Sequence, residues 1–402
     1  MATSTTSNYN FFDPDVVADP YPAFSELREM DEAYLMPLTN WRLFTRYEDV
    51  WNILRDHEGF SSDSRNASNP RTRRKTAPTG VTMLGTDPPD HTRLRKLVSR
   101  DFTPRSMESQ EERIREIVGK LLDETLPSGK IDVMNDLAIP LPVMVIAELL
   151  GIPSEDYKQF KEWSDNEVKF IRPDMSPEEI DFLENSSEQL YGYFGEQIRK
   201  ARERNEPGDD LISQLVVAAD DGDALSEQEL VEFVVLLLLA GNETTTNLIG
   251  NGTLALLRHE QQMNQLRNNM DLLPTAIEEF LRFDGPVQST FRQVMKPANI
   301  HGVDIEPGET IAVVLGAANR DPSKFDLPEE LILDRKPNEH VAFGTWIHVC
   351  IGAPLARIEG RVAIEQLLKR TNSININIDE NELSYNTSFA LRGLQTLPVD
   401  IT

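Results

Sequence analysis

The only cysteine of the chain lies in a glycine-rich loop just before a predicted helix. Cys350 stands within residues 343–354, which read Phe-Gly-Thr-Trp-Ile-His-Val-Cys-Ile-Gly-Ala-Pro. Glycines let backbone amides approach the sulfur closely, and Pro354 favours a helix start near this point. Amide donors and the positive end of a helix both stabilise a thiolate. A lone cysteine is commonly a small buried apolar residue. This setting instead favours a nucleophile or a metal ligand, and the loop alone does not choose between them.

An acid–alcohol run follows the most apolar part of the chain. Residues 240–246 read Ala-Gly-Asn-Glu-Thr-Thr-Thr and come directly after a run of leucines. Three consecutive β-branched threonines beside a glycine are poor helix formers, and a glutamate beside leucines is unfavourable if it is buried alone. The threonines could simply bond back to carbonyls one turn earlier, Thr244 to Ala240. Because that would leave Gly241 and Glu243 unexplained, we favour a functional site here.

Two further pairs of residues are weaker signals. Glu279 and Arg282 are spaced three apart in a helical segment, and such a surface pair contributes only about 0.2–0.5 kcal/mol. His91 and Arg95 are spaced four apart, so they share one helical face. Taken alone, each pair is typical of surface charge, unless an anion binds beside the second one.

Composition excludes several classes of protein. The 402 residues carry 40 Lys and Arg against 67 Asp and Glu, and a net charge of −27 argues against nonspecific binding to nucleic acid. One cysteine forms no internal disulfide and excludes multi-cysteine zinc and iron–sulfur sites. The first ten residues lack the apolar core of a signal peptide, and the longest apolar run, 233–241, is too short for a bilayer. We therefore expect a cytoplasmic protein without a membrane anchor.

The elements that must position these residues are mostly helical. Apolar residues recur at helical spacing in residues 111–126, and segments 141–150 and 178–204 are similar. Strand-like sequence is confined to residues 33–47, 294–314 and 374–378. The pattern predicts a mainly α protein with a minor β region. Residues 66–80, with four basic residues among Pro, Thr and Ser, indicate a surface loop.

One long helix should carry the acid–alcohol run. Ser226 and Glu229 have the spacing of a capping box, and the helix that they open should continue to about Arg258, on the order of 50 Å. Leucines at 236–239 make this helix apolar on every side, so its middle should be buried. We therefore predict a single domain over residues 1–402, with a flexible N-terminus at 1–15.

Together and in this order, the cysteine loop, the Glu243-Thr244 pair and the Glu279/Arg282 pair resemble the cytochrome P450 family, the haem-thiolate monooxygenases, in its soluble bacterial form. The resemblance covers nearly the whole chain. It implies the P450 fold, mainly α with a long central helix across a buried haem b. It also implies insertion of one oxygen atom of O2 into a small, largely hydrophobic substrate such as a terpenoid, steroid, fatty acid or polyketide. Electrons would come from a ferredoxin or flavodoxin with its reductase, and the protein is expected to be a monomer.

The resemblance also implies roles for individual residues. Cys350 would be the axial iron ligand, with Phe343 shielding the sulfur side of the haem. Thr244 and Glu243 would deliver protons on the opposite side, and Glu279 and Arg282 would be structural. The residues expected to bind the haem propionates or the haem face are His91, Arg95, Arg292, His348, Ala240 and Gly241. The residues expected to line the substrate pocket are Met83, Leu84, Leu239, Val287, Thr290 and Phe389. A basic patch for the electron donor is predicted at Arg93, Lys96, Arg100, Arg357 and Arg361.

The sequence departs from the family pattern twice. Trp346 stands where the cysteine loop normally has a glycine, so either the loop adjusts or the indole packs to compensate. Glu330 and Leu331 stand where the family commonly has Arg-Phe, so the third partner of the Glu279/Arg282 pair is either absent or supplied elsewhere.

Other functions are compatible with parts of this pattern. A haem-thiolate peroxygenase or isomerase would keep the haem, but such enzymes often lack the Glu243-Thr244 pair. A haem-binding protein without turnover would show no substrate-dependent spin shift. A hydrolase that uses Cys350 with His348 is the weakest alternative, because the two residues are only two apart and no orienting third group is evident.

Overall fold

The computed structural model of the chain describes residues 9–37, 39–68, 82–99, 101–170, 175–204, 206, 208–220 and 225–402. Most of the predicted surface loop, 66–80, and Arg100 of the predicted basic patch lie outside the described residues. The helices, in chain order, are α1 (Pro14–Ala18), α2 (Tyr21–Glu29), α3 (Tyr47–Arg55), α4 (Asp90–Val98), α5 (Pro104–Glu108), α6 (Glu111–Thr125), α7 (Pro140–Leu150), α8 (Tyr157–Lys169), α9 (Pro177–Arg202), α10 (Leu211–Asp220), α11 (Glu227–Arg258), α12 (Glu260–Asn268), α13 (Leu273–Phe283), α14 (Leu315–Ala318) and α15 (Ala353–Lys369).

The strands are short. They are β1 (Tyr34–Met36), β2 (Trp41–Phe44), β3 (Phe60–Ser61), β4 (Lys130–Asp132), β5 (Ser289–Val294), β6 (Ala298–Ile300), β7 (Val303–Ile305), β8 (Thr310–Val314), β9 (Ile374–Ile376) and β10 (Pro398–Ile401). A five-stranded sheet has the order β1-β2-β8-β5-β3, a three-stranded sheet has the order β4-β10-β9, and β6 pairs with β7. Neighbouring strands are antiparallel except for β2 and β8, which are parallel.

The chain divides into two compact units, and the first contains the five-stranded sheet. It comprises Met1–Arg71, Leu254–Cys350 and Asn381–Gln395. Successive residues of β8 point to opposite faces of this sheet, as in any strand. Ile311 and Val313 belong to the buried cluster that includes α3, whereas Ala312 and Val314 belong to the cluster that includes α2. The central strand is therefore apolar without alternation because helices cover both of its faces.

The second unit contains most of the helices and the three-stranded sheet. It comprises Thr72–Thr253, Ile351–Glu380 and Thr396–Thr402. Within it, α15 lies along α6, and charged residues join the two helices at their edges. Arg361 contacts Glu111 at 2.5 Å, and Arg115 contacts Glu365 at 2.7 Å. These partly exposed ion pairs add little stability individually, but they fix the alignment of the two helices.

The long helix α11 begins and ends as the sequence predicts. The Ser226 amide donates to the Glu229 carboxylate at 2.9 Å, and the Glu229 amide donates to the Ser226 hydroxyl at 3.2 Å, which is the reciprocal bonding of a capping box. Among the described residues, α11 is the one helix long and apolar enough to cross a membrane. Because 67% of its most apolar stretch is buried inside the protein, it has the character of a core helix.

Most predicted helices are confirmed. The segments 111–126, 141–150 and 178–204 correspond to α6, α7 and α9, with ends that differ by one or two residues. The predicted strand regions contain β1, β2, β6, β7, β8 and β9, but β3, β4, β10 and most of β5 were not predicted. The single domain stays a prediction. Within the predicted flexible N-terminus, Phe11 is buried and α1 begins at Pro14.

Candidate functional site

The cysteine loop is a tight turn of the first unit. The amide of Cys350 donates to the carbonyl of Phe343 at 2.8 Å, and the amide of Gly344 donates to the carbonyl of Val341 at 2.8 Å. Gly344 has φ +66°, a backbone conformation that glycine adopts without steric penalty. These bonds close the loop on itself, and the Cys350 thiol is exposed at its end. Helix α15 begins three residues later with Pro354 in its first turn, as predicted.

Trp346 keeps the left-handed backbone conformation that the family's glycine would occupy. Its φ is +60°, which is unfavourable for a residue with a side chain by roughly 1–2 kcal/mol. The indole is 53% exposed, and the guanidinium carbon of Arg55 lies 4.8 Å from the centre of its ring. Of the two outcomes expected from the sequence, packing of the indole is therefore the one observed.

Two candidate propionate ligands lie in the first unit. The His348 ring nitrogen Nε2 lies 3.1 Å from the hydroxyl of Ser62. Arg292, on β5, is 6% exposed and donates to the hydroxyl of Thr290 at 3.3 Å and to the carbonyl of Phe291 at 2.8 Å. Both oxygens are neutral hydrogen-bond acceptors, and a buried guanidinium is suited to bind an anionic group such as a carboxylate.

The other two candidates lie on α4 in the second unit. His91 is 2% exposed, and Arg95 follows one turn later on the same helical face, half-buried. His91 is thus a core histidine by burial, unlike the surface charge that its sequence pattern alone indicates. A buried imidazole one turn from an arginine provides two donors in one direction, which suits a carboxylate.

The predicted basic patch is wrong at two positions. Arg93 contacts Glu229 at 2.8 Å and Asp90 at 3.4 Å. The hydrogen bond that Arg93 donates to Glu229 raises the pKa of Arg93. Arg361 is likewise occupied by Glu111 at 2.5 Å. Both arginines therefore join helices within the second unit, and their charges are neutralised there by carboxylates.

The acid–alcohol run on α11 separates into structural and candidate catalytic residues. The side chain of Asn242 donates to the hydroxyl of Ser164 at 3.0 Å, and the hydroxyl of Thr246 donates to the carbonyl of Ala138 at 3.0 Å. Asn242, Thr245 and Thr246 are all buried. These residues fasten α11 to its neighbours within the second unit, so they have a structural role.

Thr244 makes the bond that the sequence interpretation disfavoured. Its hydroxyl donates to the carbonyl of Ala240 at 2.8 Å, so the expectation against back-bonding was wrong. Thr244 and Glu243 are nevertheless half-buried, and Ala240 is exposed in the middle of an otherwise buried helix. The back-bond uses the hydroxyl proton and leaves the oxygen lone pairs of Thr244 able to accept a hydrogen bond. Most residues from 239 to 244 are therefore only partly buried, although they lie in the middle of a buried helix. This less buried stretch, the opening on α11, lies where a functional site was predicted.

The opening on α11 also includes the small residue beside Ala240. Gly241 is half-buried, and a side chain added there would first meet Ile146 of α7 at 3.7 Å, an ordinary contact distance. Glycine is therefore not required at this position by packing within the second unit.

The Glu279/Arg282 pair is buried and has a third partner that sequence reasoning missed. Both side chains are 0% exposed, and two nitrogens of Arg282 bond the two carboxylate oxygens of Glu279, each at 2.8 Å. Nε of Arg335 contacts the same oxygens at 3.1 and 3.0 Å. Arg282 also donates to the carbonyl of Glu330 at 3.0 Å. The third partner is thus Arg335, five residues after Glu330. It could not be predicted from helical spacing, because it lies on a different segment from Glu279 and Arg282.

The candidate substrate residues differ in exposure. Leu84 is 65% exposed, and Met83, Leu239, Val287 and Thr290 are half-buried. Phe389 is different, because it is 4% exposed and packs 5.5 Å from Phe11 and 6.3 Å from Phe291 between ring centres. The Phe389 ring therefore belongs to the core of the first unit.

The donor set fits one particular kind of prosthetic group. In the first unit, the exposed thiol of the cysteine loop provides a single soft metal ligand, and Arg292 and His348 provide cationic or hydrogen-bonding groups for carboxylates. A metalloporphyrin with two propionates needs this combination, because the macrocycle supplies the other metal ligands itself. The family model described as Cytochrome P450 matches residues 34–396.

The chain belongs to the cytochrome P450 family. It is 41% identical to the cytochrome P450 monooxygenase PikC of Streptomyces venezuelae, over 96% of this chain and 92% of that one. It is also 41% identical to the vitamin D(3) 25-hydroxylase of Pseudonocardia autotrophica, over 99% of this chain and 98% of that one. The solved structure of the bacillaene polyketide synthase cytochrome P450 PksS of Bacillus subtilis 168 has a TM-score of 0.90 and 36% identity, covering 98% of this chain and 100% of that one.

Membership confirms the predicted fold class and activity. This cytochrome P450 has the mainly α family fold with a minor β region. It is a haem b monooxygenase that acts on a small organic substrate with electrons from an external redox partner. The roles of its individual residues do not follow from membership alone and are argued below.

Proposed function

We propose that this cytochrome P450 holds its haem iron through Cys350 and oxidises a largely hydrophobic substrate of the terpenoid, steroid, fatty-acid or polyketide kind. The observation that carries the proposal is the exposed Cys350 thiol on a loop closed by the 2.8 Å bond from its own amide to Phe343. A loop closed by its own backbone hydrogen bonds holds Cys350 in a defined position. When bound, haem b supplies the dioxygen chemistry that no side chain performs.

Four side chains would neutralise the haem propionates. Arg292 and His348 belong to the first unit, and His91 and Arg95 belong to α4 in the second. Their roles differ: Arg95 and Arg292 supply fixed charge, whereas the two histidines donate ring N–H groups that match a carboxylate oxygen. When haem is bound, Phe343 would cover the sulfur, and the small residues Ala240 and Gly241 would leave room for the flat ring.

Thr244 and Glu243 would manage protons on the side opposite the thiolate. The Thr244 hydroxyl is held to Ala240 at 2.8 Å, so its oxygen points a lone pair in a defined direction. With its own proton donated to Ala240, the hydroxyl oxygen can accept a hydrogen bond from a water molecule and orient that water for proton delivery. The half-buried carboxylate of Glu243, next in the chain, is suited to collect protons from solvent.

The substrate pocket would be mainly apolar. Met83 and Leu84 from the loop before α4, Leu239 from α11 and Val287 before β5 are the candidate contacts, with Thr290 as a polar one. The relatives support this class, since one is named a vitamin D(3) hydroxylase and another a polyketide biosynthesis enzyme. We further infer a cytoplasmic monomer without a membrane anchor, reduced by a ferredoxin or flavodoxin with its reductase.

An isotope experiment distinguishes this proposal from a peroxygenase. The holoenzyme is reduced by a ferredoxin and reductase under 18O2 with a substrate that shifts the haem to high spin. We expect product containing one 18O atom and no product when the reductase is omitted. Product formed only with hydrogen peroxide, at rates unaffected by the reductase, would overturn the proposal in favour of the peroxygenase.

A further inference from the structure

Trp346 combines an unfavourable backbone conformation with an exposed side chain and a position close to Cys350. It has a left-handed backbone with φ +60°, a side chain 53% exposed, and a place in the loop four residues before Cys350. An indole in this conformation persists only if its surroundings hold it there. Solvent exposure rules out burial in the core as the means.

The surroundings that hold the indole are a cation and a second indole. The guanidinium carbon of Arg55 lies 4.8 Å from the ring centre of Trp346 and 5.2 Å from that of Trp51. Trp51 in turn stacks on Tyr47, with ring centres 5.9 Å apart and planes within 16°. Arg55 therefore lies between two tryptophans, one from α3 and one from the cysteine loop, within cation–π range of both.

Helix α3 is a firm support for this contact. Val50 and Ile53, on its opposite face, are 0% and 1% exposed and pack in the core against the five-stranded sheet. Arg55 is the last residue of α3. A contact made by Arg55 thus connects the cysteine loop to a helix whose opposite face is buried in the core of the first unit.

Backbone hydrogen bonds connect the position of Trp346 to that of Cys350. The amide of Val349, the residue before Cys350, donates to the carbonyl of Trp346 at 3.2 Å. Next in the chain, the amide of Cys350 donates to Phe343 at 2.8 Å. A shift of the Trp346 backbone out of the left-handed region would break the first of these bonds and move the second donor.

We propose that Arg55, held between Trp51 and Trp346, is a positioning residue that fixes the cysteine loop in the conformation that places Cys350 for iron ligation. The stack replaces the conformational freedom that glycine would give this position. The proposal deepens the function proposed above and rests on ligation by Cys350. Arg55 does not touch the sulfur and acts through Trp346.

Two substitutions at Arg55 test the clamp in the dithionite-reduced, carbon-monoxide-bound holoenzyme, so that docking of an electron donor plays no part. Arg55→Met removes the cation, and Arg55→Lys keeps it. We expect Arg55→Met to lose the thiolate-type Soret band about two- to fivefold faster than wild type in mild urea, the factor that one exposed cation–π contact gives. The midpoint potential should also rise, because a less firmly placed thiolate stabilises ferric iron less. Arg55→Lys should restore most of both properties.

Repeating Arg55→Met in a Trp346→Gly variant distinguishes an effect that passes through the Trp346 indole from a general effect of charge. In Trp346→Gly the strain and the stack are removed together, so adding Arg55→Met should change neither the decay rate nor the potential further. Arg199→Met, which removes an exposed arginine of α9 with carboxylate partners only, is the matched control and should behave as wild type.

The failure of each proposal has its own signature. A wild-type protein without the red-shifted band would overturn ligation by Cys350 itself. A wild-type protein with the band, and an Arg55→Met variant with the same decay rate and potential, would overturn the clamp alone. Equal effects of Arg55→Met in the wild-type and Trp346→Gly backgrounds would also overturn it, because the effect would then not pass through the indole.

Discussion

The polar run on α11 contains residues with different tasks that look alike in sequence. Thr244 and Thr246 are two positions apart, yet Thr246 is buried and bonds the carbonyl of Ala138, whereas Thr244 is half-buried at the opening. The conflict of residues 240–246 with helix preference predicts a functional segment here. It did not separate the two threonines, because the partner of Thr246 lies 108 residues away on another element.

The proton-delivery role of Thr244 predicts uncoupled turnover when its hydroxyl is removed. In Thr244→Ala, haem and substrate binding should persist, but product formed per electron pair should fall roughly tenfold or more, because general acid–base groups typically contribute at least this much. Hydrogen peroxide release should rise by the matching amount. Product and peroxide measured against NAD(P)H consumed give the coupling directly.

Thr246→Val is the control for this substitution. It should lower the free energy of unfolding by about 1 kcal/mol through loss of the bond to Ala138. Coupling should be unchanged, since Thr246 does not face the opening. Unchanged coupling in Thr244→Ala would show that the hydroxyl is structural, like that of Thr246.

Glu359, within α15, predicts a pH dependence of stability. Its side chain is fully buried, and burial raises its pKa to about 8 from 4.5. The folded protein therefore retains a proton that the unfolded chain releases above pH 4.5, so the contribution of Glu359 to stability falls as pH rises toward about 8. In Glu359→Gln this fall should be absent. Urea midpoints of the holoenzyme measured between these pH values test it, and parallel pH profiles of the two proteins would contradict it.

At the scale of elements, the buried ion pair of Glu279 and Arg282 on α13 shows what residue spacing within one helix can and cannot predict. The three-residue spacing of Glu279 and Arg282 alone indicates a surface pair, whereas the structure shows a buried bidentate pair. The same spacing on a solvated face would have meant little. Arg335, the third member, was not predicted, because only the folded chain brings residues 279 and 335 together.

Removal of Arg335 should therefore be costly. In Arg335→Met, Glu279 keeps Arg282 but loses a buried cationic partner, and we expect the free energy of unfolding to fall by about 3 kcal/mol. Arg113→Met, which removes a half-exposed arginine from Glu116 and Glu148, should change it by less than about 1 kcal/mol. Chemical denaturation of both variants gives the comparison. Equal effects would mean that Arg335 contributes no more than a surface charge.

At the scale of the whole molecule, the helices could be predicted from the sequence, but the pairing of the strands in the sheet could not. The capping box at Ser226 and the end of α11 at Arg258 follow from residues within one segment. Strand β8 was recognised as apolar, but its parallel partner β2 lies more than 260 residues earlier. Strands of two to six residues carry too few alternations to reveal a partner or a register.

Charge at the molecular scale also had to be read from the fold. The net charge of −27 is distributed so that many cations have carboxylate partners, as Arg93 has Glu229 and Arg361 has Glu111. The sequence analysis predicted that these arginines belong to a basic patch that binds the electron donor. The structure assigns them to joining α4 with α11 and α6 with α15.

The central claim is that the sulfur of Cys350 binds the haem iron. The absorption spectrum of the dithionite-reduced, carbon-monoxide-bound protein tests it most directly, measured on the wild type and on Cys350→Ala reconstituted with haem. We predict a strongly red-shifted Soret band in the wild type, as thiolate ligation produces, and its complete loss in the variant. A variant that retained the red-shifted band, or a wild type that never displayed it, would contradict the account.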